Sequence, residues 1–159
     1  MRNKEELLQK AREYAFLLLK FRLRSEKEIY SRLKQKKFAE EIIKETILFL
    51  KDKGFIDDSN FTKVWIESRL KRPLGLRRIK QELNLKGIAK EIIDTQLSQI
   101  KAGYFESDIV AKIAEARLSK LKDIEPENIK RRLYAYLLRR GFSPEVVMDV
   151  IAQLCKHTD

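Results

Sequence analysis

The sequence has few of the residues that interrupt or cross-link a chain: 5 Gly, 3 Pro and 1 Cys among 159 residues. So little Gly and Pro excludes collagen-like and low-complexity linker chains, and it favours long helices over a sheet-rich fold with many tight turns. The single cysteine, Cys155, excludes an internal disulfide framework. We therefore expect a reducing compartment, the cytoplasm.

Long apolar runs are also missing. No stretch approaches the roughly 18 consecutive apolar residues that a membrane-spanning helix requires. The first residues, Met1 to Glu6, lack the apolar segment and small-residue cleavage site of a secretory signal. These features predict a soluble cytoplasmic protein with no membrane partner.

Groups that carry catalysis are scarce. His157 is the only histidine, Cys155 has no histidine partner placed by a known motif, and neither a Gly-rich phosphate loop nor a His/Cys cluster with metal-ligand spacing occurs. Asp57 and Asp58 form an adjacent acidic pair, which helix capping explains more simply than a metal site or an acid–base pair. We expect no enzymatic activity, no cofactor and no bound metal.

A sevenfold apolar pattern occurs three times without internal gaps, at intervals of 50 and then 54 residues. Such self-similarity is typical of tandem structural repeats. The positions are Ile29, Leu33, Phe38, Ile42, Ile43, Ile47 and Leu50, then Ile79, Leu83, Ile88, Ile92, Ile93, Leu97 and Ile100, and finally Leu133, Leu137, Phe142, Val146, Val147, Ile151 and Leu154.

The pattern around these positions predicts an all-α fold of three tandem three-helix repeats, with boundaries at 1–55, 56–104 and 105–159. Apolar residues follow helical spacing in each predicted helix, for example Phe61, Val64 and Trp65 in the fourth. A repeat of about 45 residues cannot bury a large core alone, so the repeats should stack. We expect an elongated, curved and monomeric array.

Local signals mark the helix ends. Ser25 and Glu28 fit a capping box at the start of the second helix. The reversal between the second and third helix of each repeat falls at Lys37, Gly87 and Gly141. A left-handed residue is easy for Gly but costs about 1 kcal/mol for Lys, so the first repeat either adopts that conformation or turns differently.

The chain is strongly basic, with 35 Lys and Arg against 24 Asp and Glu and a formal net charge of +11. Such a balance attracts polyanions, nucleic acid first among them. The charge is clustered, and we take two clusters as a candidate partner or DNA-binding site. They comprise Arg69, Lys71, Arg72, Arg77, Arg78 and Lys80 in the centre, and Arg131, Arg132, Arg139 and Arg140 near the C-terminus. A solvated helical surface is the alternative for each.

Several ordered segments resemble the RecX family of regulators of the bacterial recombinase RecA. An Ala-Leu helix is followed by an Arg-x-Arg-Ser-Glu-x-Glu pattern, which contains Arg22, Arg24, Ser25, Glu26 and Glu28. The segment Gly54 to Phe61 and the later residues Arg69, Gly75, Arg78, Ile79, Glu82, Leu83, Lys86, Gly87 and Ile88 continue the resemblance. Thr62 and Pro73 depart from the family pattern.

This resemblance implies a protein that binds the groove of the RecA filament on single-stranded DNA, with double-stranded DNA as a further ligand. It would restrain filament growth, ATP hydrolysis, strand exchange and the co-protease activity of the filament. Arg22 and Arg24 either anchor that partner or pair with Glu26 and Glu28. Two alternatives stay open: a direct DNA-binding protein with modules like a helix-turn-helix, and a helical adaptor that does not bind DNA.

Overall fold

A computed structural model describes residues 2–100, 103–121 and 124–156, and within these ranges the chain is helical without strands. The helices follow one another through short turns, three to a repeat. They are α1 (Arg2–Phe21), α2 (Glu26–Gln35), α3 (Glu40–Asp52), α4 (Asp58–Leu70), α5 (Leu76–Leu85), α6 (Lys90–Ile100), α7 (Glu106–Leu118), α8 (Pro126–Arg139) and α9 (Pro144–Lys156). The predicted all-α class is confirmed.

The chain forms two compact units. Met1–Trp65 and Leu83–Gln96 make up the first unit, and Ile66–Glu82 and Leu97–Asp159 make up the second. In the first unit α1, α2 and α3 pack on one another around Ala11, Ala15, Ile29, Leu33 and Ile43. In the second unit α7, α8 and α9 enclose an equivalent core that contains Val110, Ala114, Leu133, Leu137 and Phe142.

The 21 repeated apolar positions are all buried or half-buried, as their spacing predicts. One neighbouring assignment is wrong. Val64 is 43% exposed, whereas Ile66 is fully buried. Both are apolar and lie within one turn of each other, so the short apolar pattern of α4 did not distinguish which of them faces the core.

The turn after the second helix of each repeat has the same geometry. Lys37, Gly87 and Gly141 have φ values of 63°, 74° and 86°. In each turn two backbone bonds cap the preceding helix, as in Lys37 N to Lys34 O at 2.9 Å and Phe38 N to Leu33 O at 3.3 Å. This is the Schellman arrangement, which satisfies helix-terminal carbonyls. The first repeat therefore adopts the left-handed conformation with a lysine.

The start of α2 is capped by two side-chain arrangements, and it also bonds the residue that follows α5. Ser25 and Glu28 form the predicted capping box. Asp58 Oδ1 accepts a hydrogen bond from Glu26 N at 2.9 Å, and Ser25 Oγ donates to Lys86 O at 2.7 Å. Asp57 caps α4, as predicted, by accepting from Ser59 N and Asn60 N. The two adjacent aspartates thus cap different helices.

Candidate nucleic-acid interface

The start of α5 docks on the end of α8 in the second unit. Gly75 N donates to Arg140 O at 2.8 Å, and Arg77 N donates to Gly141 O at 3.2 Å. A Cβ atom on Gly75 would lie 2.1 Å from Gly141 O, so only glycine permits this approach. The joint brings together the central and C-terminal basic clusters, which are about 60 residues apart in the sequence.

Arginines from both clusters line a groove beside this joint, together with Gln81, Leu138 and Gly141. Arg77 and Arg139 are exposed, and neither forms an ion pair with a residue that the structure describes. Arg78 is also exposed, with Nε 3.4 Å from Glu82 Oε1. Arg77 and Arg139 are thus available to bind an anion.

A second cleft continues from Arg139 between α7 and α8. It is lined by Arg117, Leu121, Arg131, Arg132, Ala135, Tyr136 and Arg139. The Arg117 and Arg140 guanidinium carbons lie 4.0 and 4.8 Å from the centre of the Tyr136 ring. Cation–π contacts of this length hold guanidinium groups in place. Tyr136 therefore holds Arg117 at the cleft, whereas Arg140 is not a lining residue and donates from Nη1 to Pro73 O at 3.0 Å.

Helix α7 and the turn after it add basic residues that the sequence analysis missed. Lys112 of α7 and Lys120 of the turn line a further cleft that shares Arg117 and Tyr136 with the previous one. A count of charges along the sequence hides Lys112 and Arg117, since α7 also carries Glu106, Asp108 and Glu115. A helical projection of α7 is the signal that could have found these two bases.

These clefts adjoin through shared lining residues, and we call their basic residues the cationic face. They are Arg77, Arg78, Lys112, Arg117, Lys120, Arg131, Arg132 and Arg139. Among the described residues that line the three clefts, none carries a carboxylate. The face suits a ligand with several negative charges, such as a phosphodiester backbone.

The position of Arg77 and Arg78 is unfavourable for the helix that carries them. Both lie in the first turn of α5, which contains no acidic residue. The amino end of a helix carries a partial positive charge, so basic side chains there are destabilising. Arg78 offsets part of this cost through its ion pair with Glu82, but Arg77 forms no ion pair with a described residue, which favours a role for Arg77 in binding.

Other predicted residues of the central cluster are engaged differently. Arg69 Nε lies 2.7 Å from Glu82 Oε2, with both side chains about four-fifths buried, so this pair stabilises the second unit. Lys80 is half-buried and has an interaction partner. Lys71 and Arg72 are exposed in the turn after α4 and form no ion pair with any described residue.

Arg22 and Arg24 lie in the first unit. Arg22 forms two hydrogen bonds with the Glu28 carboxylate, at 2.9 and 3.0 Å, and Lys86 Nζ contacts the same carboxylate at 2.7 Å. Burial alone would raise the pKa of Glu28, but these hydrogen bonds outweigh it and lower the pKa to about 2. Arg24 Nε donates to Leu18 O at 3.3 Å. Of the two acids considered for Arg22, it pairs with Glu28, while Glu26 pairs with Lys51.

The aromatic residues of α4 pack rather than present open rings. Phe61 is buried and stacks on Trp65 with ring centres 5.7 Å apart. Lys86 Nζ lies 4.3 Å from the centre of the Trp65 ring. Tyr134 and Tyr136 are half-buried. Phe61 and Trp65 therefore contribute to packing within the first unit.

Within residues 2–100, 103–121 and 124–156, no cluster of His, Cys, Asp and Glu could hold a metal ion. The same ranges contain no helix that is long and apolar enough to span a membrane. His157 lies outside the described residues.

Comparison with known proteins gives three consecutive matches to models of one family. They are the first, second and third three-helix domains of RecX, at residues 11–55, 57–97 and 106–151. The crystal structure of RecX from Lactobacillus salivarius superposes with a TM-score of 0.80 at 23% identity, covering 94% of this chain and 97% of that one. The fold is therefore the same.

Similar sequences carry the name regulatory protein RecX. That of Clostridium beijerinckii is 35% identical over 151 residues, which are 94% of this chain and 70% of the relative. That of Mycobacterium sp. strain KMS is 35% identical over 154 residues, which are 94% of this chain and 82% of the relative. By its three domain matches and by these relatives, the chain belongs to the RecX family of regulatory proteins.

Proposed function

We propose that this protein regulates the RecA recombinase, mainly as an inhibitor, by binding in the groove of the RecA filament on single-stranded DNA. In this role it restrains filament growth, ATP hydrolysis, strand exchange and co-protease activity. The protein acts by occupying a surface rather than by catalysis. Membership of the RecX family and the basic character of the chain support the proposal.

The cationic face is the observation that carries this proposal. Its arginines and lysines come from α5, α7, the turn after α7, and α8. They line adjoining clefts whose described lining residues include no carboxylate. Phosphate oxygens bind arginine through charge-assisted, often bidentate hydrogen bonds. A surface of this kind contacts the DNA of a filament without reading its sequence.

The proposal is tested by the DNA-dependent ATPase activity of the cognate recombinase, measured with increasing amounts of this protein. We expect the wild type to inhibit, and the double variant Arg77→Glu with Arg139→Glu to need at least tenfold more protein for the same inhibition. The double variant should stay folded. An acid in the first turn of α5 is favourable, which offsets the loss of a base from the last turn of α8.

A matched control is Lys10→Glu with Lys63→Glu, two exposed lysines of the first unit that have no ion-pair partner among the described residues. It changes the net charge by the same amount and should inhibit like the wild type. If folded wild-type protein leaves the ATPase rate unchanged, the proposed function is wrong. If both double variants inhibit equally, the cationic face is not the contact.

The two alternatives give different results with the same proteins. A direct DNA-binding module would bind naked duplex with sequence preference, and recombinase would not alter its affinity. A helical adaptor would bind recombinase without DNA and leave filaments unaffected.

A further inference from the structure

A groove between α8 and α9 lies apart from the basic clefts described above, sharing only Arg131 with them. Its floor is largely apolar, and Met148 there is 59% exposed. We call it the terminal groove. It is lined by Glu127, Lys130, Arg131, Tyr134, Met148, Ile151, Ala152 and Cys155.

The corresponding face of the first repeat lies opposite another part of the first unit. At the intervals of 50 and 54 residues, Lys130, Arg131, Tyr134 and Cys155 correspond to Glu26, Lys27, Tyr30 and Lys51. These four line a cleft together with Gly54, Ile56, Asp57, Asp58, Ser59, Gly87, Ala89 and Ile92. Asp58 accepts a hydrogen bond from Glu26 N, and Gly87 packs against the Lys27 side chain. This face of a repeat therefore lies beside the starts of two helices, α4 and α6.

Another three-helix repeat does not fit the terminal groove in the same way. Ser25 and Gly75 bond the end of a later helix, through Lys86 O and Arg140 O. Their counterpart at the repeat intervals is Ile129. It lies inside α8, which has 14 residues against 10 in α2 and in α5, and Ile129 N bonds Glu125 O within the helix. The extra turn of α8 prevents a joint of this kind, while the groove itself stays open.

Charge defines the helix that fits. In the first repeat Glu26 and Lys51 neutralise each other at 2.7 Å, whereas their counterparts in the terminal groove are Lys130 and Cys155. Arg131 adds a second positive charge, and the one lining carboxylate, Glu127, is 88% exposed at 3.4 Å from Lys130. We propose that the terminal groove binds an amphipathic helix of a partner protein that carries carboxylates along one edge. A second copy of this chain is disfavoured because each copy carries a net charge of +11.

The probe is a synthetic 16-residue peptide with leucines at helical positions i, i+3, i+4 and i+7 and glutamates on one flank, labelled for fluorescence anisotropy. The wild type should bind it, and Met148→Asp should weaken binding at least tenfold. The peptide should also slow the reaction of Cys155 with a maleimide, because this single cysteine lines the groove. Thiol protection locates the peptide independently of any variant.

Leu48→Asp is the matched control, since Leu48 is 65% exposed on α3 and lies outside the groove. It should bind the peptide like the wild type, and a peptide with lysines in place of glutamates should not bind. The proposal is overturned if the acidic peptide fails to bind, binds Met148→Asp equally well, or leaves the Cys155 reaction rate unchanged. Concentration-dependent dimerisation of the protein, abolished by Met148→Asp, would instead assign the groove to a second copy.

Discussion

At the scale of single residues, Lys37 adopts a sterically strained backbone conformation that the repeated turn requires. Among the described residues it is the only one other than glycine with a positive φ, at 63°. Its Cβ crowds the backbone in that conformation, which glycine avoids. The exposed side chain forms no hydrogen bond with a described residue that offsets the cost. Phe38, the residue after this turn, is half-buried, and its counterparts Ile88 and Phe142 are buried.

Replacing this residue tests the strain directly. Lys37→Gly should stabilise the protein by about 0.5 to 1 kcal/mol, because glycine adopts the left-handed conformation without steric cost. Lys37→Ala removes the same side chain and keeps the strain, so it should change the free energy of unfolding by less than about 0.5 kcal/mol. Urea titration measures both values. Equal stabilities of the two variants would contradict the interpretation.

At the scale of helices, the joints between helix ends hold the repeats together. At the start of α2 the Ser25 hydroxyl donates a hydrogen bond to Lys86 O. At the start of α5 the Gly75 amide donates a hydrogen bond to Arg140 O. Ser25 and Gly75 are 50 residues apart, at equivalent places in their repeats. In α5, Gly141 O occupies the space that a capping side chain would need. Neighbouring carbonyl groups thus substitute for the missing cap.

The α5 joint predicts an unusual sensitivity to a single methyl group. Gly75→Ala should cost about 2 kcal/mol or more, because its Cβ would lie 2.1 Å from a backbone oxygen and the two helix ends must separate. Gly103→Ala is the control, since no atom lies within 4 Å of its Cβ position. Thermal or urea unfolding compares the two. If Gly75→Ala lowers the free energy of unfolding by less than about 0.5 kcal/mol, the close contact between Gly75 and Gly141 is contradicted.

At the scale of the whole molecule, charged side chains stabilise the fold and, in the proposed function, bind the partner. In the first unit the carboxylate of Glu28 connects Arg22, the start of α2 and Lys86 at the end of α5. In the second unit Arg69 and Arg78 contact Glu82, whereas Arg77 and Arg139 on the cationic face form no ion pair with a described residue. The same residue type therefore stabilises the fold at some positions and remains available for a ligand at others.

The Glu28 network predicts a loss of stability in acid. The pKa of Glu28 is lowered from 4.5 to about 2 in the folded protein, so its contribution is complete above about pH 4.5 and is lost as pH falls toward 2. Glu28→Gln should cost about 1 to 3 kcal/mol at pH 7, a difference that shrinks in acid. Urea titrations between pH 7 and pH 3 measure it. Glu91→Gln replaces an exposed carboxylate and should change neither the stability at pH 7 nor its dependence on pH. If the stability difference between Glu28→Gln and the wild type does not change with pH, the network is contradicted.

The sequence alone determined the helical class, the core positions and most helix ends. Helical spacing of apolar residues and capping by particular residue types are local properties, so they can be recognised in the sequence. It also placed the Ser25–Glu28 cap and the Asp57 cap correctly. Tertiary structure decided what depends on packing between distant segments. Tertiary packing placed Asp58 as a cap of α2, paired Arg69 with Glu82, and buried Ile66 instead of Val64. The contact between the start of α5 and the end of α8 also placed Arg77 and Arg139 in the lining of one groove. Charge clusters in a sequence show only which bases are neighbours along the chain, whereas the cationic face is assembled by backbone contacts between distant segments, which residue spacing does not encode.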